Sequence, residues 1–153
     1  MELTIGKTAP DFELRDQGGI THKLSDYIGK RLVIYFYPED DTPGCTTEAC
    51  SFRDNFIEYK TEGITVIGIS KDTIESHAQF AEKYELPFTL LADPDHQVSE
   101  LYGVWGEKTF LGIKSMGIKR TTFLIDEKGI LKEIMPNVNP KGHAEDVLNR
   151  FIG

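Results

Sequence analysis

Cys45 and Cys50 are the only thiols of this 153-residue chain, and both lie in PEDDTPGCTTEAC, residues 38–50. Thr42 followed by Pro43 reads as a helix cap and first helical position. Gly44 and Cys45 then fall in the first turn. Unpaired backbone N–H groups and the positive end of the helix dipole point at that spot and favour a thiolate, the reactive form of a thiol. Gly44 lets a ligand approach the backbone with no side chain in the way. Such a thiol can act as a nucleophile, can ligate a metal, or can be an inert, buried small hydrophobe. Residues five apart on an ideal helix have Cα atoms about 8–9 Å apart, whereas a disulfide needs about 4.4–6.8 Å. An intact helix therefore cannot bridge Cys45 and Cys50, and a helix unwound over its first turns can. The spacing suggests a redox switch. Zinc is the rival sharp reading, because a four-residue gap suits zinc cysteines. It would need His22, His77, His96 or His143, none of them spaced as a ligand pair, and each reads as a surface residue. Cys-x-x-Cys is absent.

These side chains need a scaffold. Arg31–Tyr37, RLVIYFY, is an apolar run without alternation, the mark of a strand buried on both faces. A helix is expected from about Pro43 to Tyr59, with Ala49, Phe52, Phe56 and Tyr59 on its apolar side. Phe12–Leu14 and Ile20–Leu24 flank RDQGG as a small N-terminal hairpin. Ile64–Ser70 reads as a second buried strand, Ile74–Tyr84 as a helix, Phe88–Ala92 as a strand and Asp95–Leu101 as a short helix. Glu107–Lys119 has no clear period and reads as a loop. Thr121–Asp126 and Ile130–Met135 form a hairpin around Glu127-Lys128-Gly129. Pro140–Ile152 closes the chain as a helix capped by Asn139. The pattern predicts an α/β sandwich with a mixed sheet. A right-handed crossover places the helix near Cys45 at the carboxyl end of the first buried strand, where open α/β sheets bind ligands.

The length predicts one domain over residues 1–153. A formal net charge of −8 argues against nucleic acid as a partner, since phosphate binding needs a concentrated basic surface. No apolar run approaches the ~20 residues that span a bilayer, and MELTIGKTAPDFEL carries no signal-peptide pattern. The expected compartment is the reducing cytoplasm, where a close cysteine pair reads as redox-active or metal-binding.

Pro38, Thr42 and Cys45 spell P-x-x-x-T-x-x-C. With FYPEDDTPGCTTEAC, ADPDHQVSELYGVWGEK and KRTTFLIDEKG, the chain resembles the peroxiredoxins over essentially its whole length, and among them the bacterioferritin comigratory protein or peroxiredoxin Q subfamily. The resemblance implies a thioredoxin-like fold and a thiol peroxidase acting on hydrogen peroxide and organic hydroperoxides. It implies Cys45 as the peroxidatic cysteine, oxidised to a sulfenic acid, and Cys50 as the resolving cysteine that closes a Cys45–Cys50 disulfide. It implies Thr42 as the hydroxyl that bonds thiolate and peroxide, Pro38 as the shield of the pocket, and Arg120 as a distant arginine folded against the sulfur. Gly44, Thr42 and Arg120 are the expected peroxide-binding residues. No metal or organic cofactor is implied. The implied reductant is thioredoxin, or glutaredoxin, and the implied state is a monomer. A non-enzymatic peroxide sensor using the same disulfide is the alternative. Glu48, one turn beyond Cys45, is expected either to orient Arg120 or to serve as a helix-start acid, and Trp105 to pack rather than to wall the pocket. Glu39, Asp40 and Asp41 are expected to point into solvent, and Tyr35, Phe36 and Tyr37 into the core.

Overall fold

The computed structural model describes residues 3–152. The expected domain span of 1–153 includes residues 1, 2 and 153, which lie outside them. Along the chain run β1 (Glu13–Asp16), β2 (Thr21–Lys23), a 3-10 turn, β3 (Arg31–Phe36), α1 (Pro43–Asp54), α2 (Phe56–Thr61), β4 (Ile64–Ser70) and α3 (Ile74–Tyr84). There follow β5 (Thr89–Ala92), α4 (Gln97–Leu101), β6 (Trp105–Phe110), β7 (Ile113–Ile118), β8 (Thr121–Ile125), β9 (Leu131–Met135) and α5 (His143–Ile152). Seven strands form a mixed sheet in the order β2-β1-β5-β4-β3-β8-β9. The centre, β3, β4 and β5, is parallel, and β8 runs antiparallel to β3.

The unalternating sequence of β3 is explained by a core on each face. Val33, Tyr35 and Tyr37 join Phe52, Phe88 and Val147 on one side. Leu32, Ile34 and Phe36 join Ile67, Tyr102 and Phe123 on the other. Successive side chains of a strand point to opposite faces, so a central strand needs apolar residues at every position. Gly68 on β4 makes room for this packing: a Cβ there would stand 2.8 Å from the Tyr35 ring.

Three expectations are corrected. The helix expected over Pro43–Tyr59 is two helices, broken at Asn55, whose side chain donates to the Ser51 carbonyl at 2.8 Å and competes with the helical ladder. Glu107–Lys119 is mostly a hairpin, β6–β7, outside the main sheet. Leu111 and Gly112, both with positive φ, make its two-residue turn. Most of β7 is exposed, so it lacks the apolar alternation of a half-buried strand. The last helix starts at His143 instead of Pro140. Asn139 accepts from the Lys141 N–H, and Gly142 has φ +70°, which no helix continues.

Candidate active site

Cys45 sits in the first turn of α1 and is buried; Cys50, farther along the same helix, is half-buried, and both are free thiols. Pro43 occupies the first turn, and Thr42 is the extended residue before it. The first helical rung is Thr46 N–H to the Thr42 carbonyl, so the amides of Gly44 and Cys45 precede the ladder. The Thr42 hydroxyl does not cap the helix; it donates to the Glu39 carbonyl at 2.9 Å. Its oxygen is thereby left as an acceptor. Pro38 is half-buried where β3 gives way to the loop.

Sheet register brings Arg120 to this place from 75 residues away. Phe36 pairs with Thr121, so Arg120 lies at the carboxyl end of β3. It shares a face with Thr122 and Leu124, and Leu124 packs in the same core as Cys45. One guanidinium nitrogen, Nη2, lies 3.5 Å from Cys45 Sγ, and Nη1 donates to Glu48 Oε1 at 2.8 Å. A Cβ on Gly44 would come within 3.1 Å of Nη2, so the glycine admits the guanidinium to the helix start. The burial of Glu48 pushes its carboxyl up to about 7, against the opposing pull of Arg120. Glu48 therefore orients Arg120; its other oxygen has no hydrogen-bond partner among the described residues.

Two nearby groups were not foreseen. His143, expected at the surface, is buried, with Nε2 2.7 Å from the Thr122 hydroxyl and 3.8 Å from Glu48 Oε2. Burial lowers it to about 4, so it is neutral near pH 7. It lies four residues before Val147 on the apolar stripe of α5, which was the available signal. Lys108 on β6 donates to the Ile118 carbonyl at 2.9 Å, and its stem passes over Gly117. Burial lowers its pKa, as does Arg120, partly offset by Cys45. Burial raises the Cys50 thiol, partly offset by Arg53. Trp105 packs against the opposite core and stacks on His96 with ring centroids 3.9 Å apart.

The expectation for the acids holds for Glu39 and Asp41 and fails for Asp40. Asp40 is buried and bonded to Tyr37, Ser76 and His77. His77, also expected at the surface, is fully buried for the same reason. Among the described residues the group that could hold a metal is Asp40, Asp72 and His77, which contains neither cysteine.

A thiol at a helix start, met by a guanidinium that a buried acid orients, is the arrangement of a thiol-dependent peroxidase on a mixed α/β sheet. The AhpC/TSA family model matches residues 5–134, and the chain belongs to that family, within the Bcp or peroxiredoxin Q kind of peroxiredoxin. It is 48% identical over 148 residues to peroxiredoxin Bcp of Bacillus subtilis, covering 97% of this chain and 94% of the relative. It is equally identical over 147 residues to peroxiredoxin Bcp of Escherichia coli K12, covering 96% of this chain and 94% of the relative. PrxQ of Xylella fastidiosa, solved as a cysteine-to-serine mutant, superimposes with a TM-score of 0.93 at 35% identity over 99% of this chain and 97% of its own. A bacterioferritin comigratory protein of Xanthomonas campestris, studied for alkyl peroxide reduction, gives 0.87 at 35% identity over 92% of this chain and 90% of its own. The fold is the thioredoxin fold of the peroxiredoxins. Among the described residues no helix is long and apolar enough to cross a membrane.

Proposed function

We propose that the chain reduces hydrogen peroxide and organic hydroperoxides at Cys45, resolves the product with Cys50, and is returned to the dithiol by thioredoxin or a similar protein dithiol. The observation that carries this reading is Arg120 Nη2 at 3.5 Å from Cys45 Sγ, with Nη1 on Glu48. The Cys45 thiolate attacks one oxygen of the peroxide, a sulfur–oxygen bond forms, and the O–O bond breaks. The second oxygen leaves as hydroxide or alkoxide and takes up a proton. Donors aimed at that developing charge lower the barrier. Arg120 and the free amides of Gly44 and Cys45 supply them, while Thr42 Oγ1 accepts from the peroxide O–H. Pro38 helps to close the pocket over the sulfur.

The resulting sulfenic acid is attacked by Cys50, water leaves, and the Cys45–Cys50 disulfide forms. Both cysteines lie on one continuous helix, so this step requires the first turns of α1 to unwind. The same opening exposes the disulfide to a reductant, whose dithiol is oxidised as the disulfide is reduced. Because both thiols belong to one chain, a monomer in the cytoplasm suffices, as one domain.

The test is mass spectrometry of the reduced protein after one equivalent of hydrogen peroxide. Loss of two hydrogens, mapped to Cys45 linked to Cys50, is expected, and Cys45→Ser abolishes it. Cys50→Ser keeps the first oxidation, loses thioredoxin-linked turnover and gains sulfinic acid. Normal turnover of Cys50→Ser removes Cys50 as the resolving thiol.

A further inference from the structure

Asp40 stands between Pro38 and Thr42, in a loop that only has to turn, yet its carboxylate is buried. One oxygen accepts from the Tyr37 hydroxyl at 2.5 Å. The other accepts from the Ser76 hydroxyl at 2.8 Å and meets His77 Nδ1 at 2.7 Å. The far ring nitrogen of His77 is 3.0 Å from the Leu91 carbonyl, which can only accept, so Nε2 carries a proton. The Asp40 backbone N–H donates to Asp72 Oδ2, itself held by the Ser70 hydroxyl at the end of β4. The loop is thus tied through one side chain and one amide to α3, β4 and β5. Outside the buried cluster, Asp41, with φ +59°, adds a surface tie to Lys83 and Tyr84 of α3.

A buried polar cluster is a poor source of stability, because desolvation offsets most of the attraction; its best attested use is to fix one arrangement among several. The arrangement fixed here is that of Thr42, two residues on, whose hydroxyl is aimed by the Glu39 carbonyl immediately before Asp40. We propose that the Asp40–His77 pair is a latch holding the Pro38–Thr42 loop in its peroxide-reactive arrangement, so that both are positioning residues for the reaction proposed above, on which this inference rests. Neither residue is bonded to Cys45 or Arg120 among the described residues. The latch acts through Thr42 and the start of α1.

The experiment compares two reactions of Cys45 in the full chain: oxidation by hydrogen peroxide, and alkylation by iodoacetamide followed by peptide mapping. Peroxide needs an aligned Thr42 and Arg120; the alkylating reagent reports only an available thiolate. In Asp40→Asn and His77→Gln the peroxide rate falls roughly 10-fold or more, as a displacement of about 1 Å at a reacting centre can do, while alkylation stays within about twofold of wild type on the same scale. The double variant is no slower than the worse single, because both break one contact. A folded His77→Gln with the wild-type peroxide rate, or parallel slowing with both reagents, overturns the latch. Where those variants fail to fold, Ser76→Ala and Tyr37→Phe decide, each removing one hydroxyl donor to Asp40. A slower peroxide reaction with unchanged alkylation supports the latch, and unchanged rates with both reagents overturn it. A wild-type protein inert to peroxide overturns the peroxidase reading itself, and the latch with it.

Discussion

Asp40 and Glu48 are both buried carboxylates, eight residues apart, and the chain treats them in opposite ways. Asp40 is fully met, by two hydroxyls and an imidazole. Glu48 has Arg120 on one oxygen and, among the described residues, no hydrogen bond on the other, which His143 Nε2 approaches only to 3.8 Å. The satisfied acid lies outside the reacting centre and fixes backbone. The unsatisfied acid shares its arginine with the sulfur, so the guanidinium is oriented without being saturated. A cation whose every donor was taken would have nothing left for a peroxide.

That contrast can be broken most forcefully at Arg120. Arg120→Ala removes the donor to sulfur and the partner of Glu48 together, and the peroxide step is expected to slow by about 10²–10³. Arg120→Lys recovers little, because one ammonium cannot replace the two-pronged fork. Stopped-flow oxidation with excess peroxide measures both. Next comes Asp40→Ala, which leaves the Tyr37 and Ser76 hydroxyls and His77 Nδ1 buried without their partner and is expected to cost about 3 kcal/mol or more in denaturant unfolding. Glu48→Gln sharpens the comparison by its sign. It relieves a poorly compensated buried charge, so stability above neutral pH is expected to hold or to rise by about 1 kcal/mol, while peroxide reduction slows. Equal destabilisation in Asp40→Ala and Glu48→Gln would erase the distinction drawn here.

A smaller effect lies in pH. Glu48 is raised to about 7 from 4.5 in the folded state, so its contribution is full below the unfolded value and is lost as pH rises through about 7. His143 is lowered to about 4 from 6.5, so its contribution is full above 6.5 and is lost as pH falls through about 4. The two slopes oppose one another where their windows overlap. Stability is expected to be nearly flat there, and His143→Gln is expected to uncover a decline with rising pH, by up to about 1.4 kcal/mol per pH unit. The smallest effect is at the surface. Lys83→Ala cuts the exposed tie to Asp41, and calorimetry is expected to show an unchanged unfolding temperature.

Much of this was legible from the residues. The runs of β3 and β4 announce strands buried on both faces, and Thr42-Pro43-Gly44-Cys45 announces a helix start with a thiol in it. Arg120 was not legible from local pattern, because its place depends on the pairing of β8 with β3; the resemblance supplied it. Asp40 reads as a surface residue because its partners Ser76 and His77 come from α3, more than thirty residues on, and the crossover that brings them leaves no mark near Asp40. His77 does head the stripe of Phe80, Ala81 and Tyr84 on α3, and that spacing was the clue. The β6–β7 hairpin escaped notice because its strands pack largely on each other, without the apolar face that a sheet normally buries.

The two ends of α1 are held very differently. Beyond Cys50, Phe52 is fully buried against Tyr35, Tyr59 and Phe88. Arg53 donates to the Tyr84 carbonyl, and the Ser51 hydroxyl accepts from the Ala144 amide. The unwinding proposed for disulfide formation therefore runs from the proline end and stops near Ser51. What remains is a preformed helical seed. Starting a helix is the slow and costly event, and adding residues to an existing turn is fast. In the cycle proposed above, the helix would regrow from that seed after reduction by propagation alone, so the return to the peroxide-reactive form would meet no nucleation barrier.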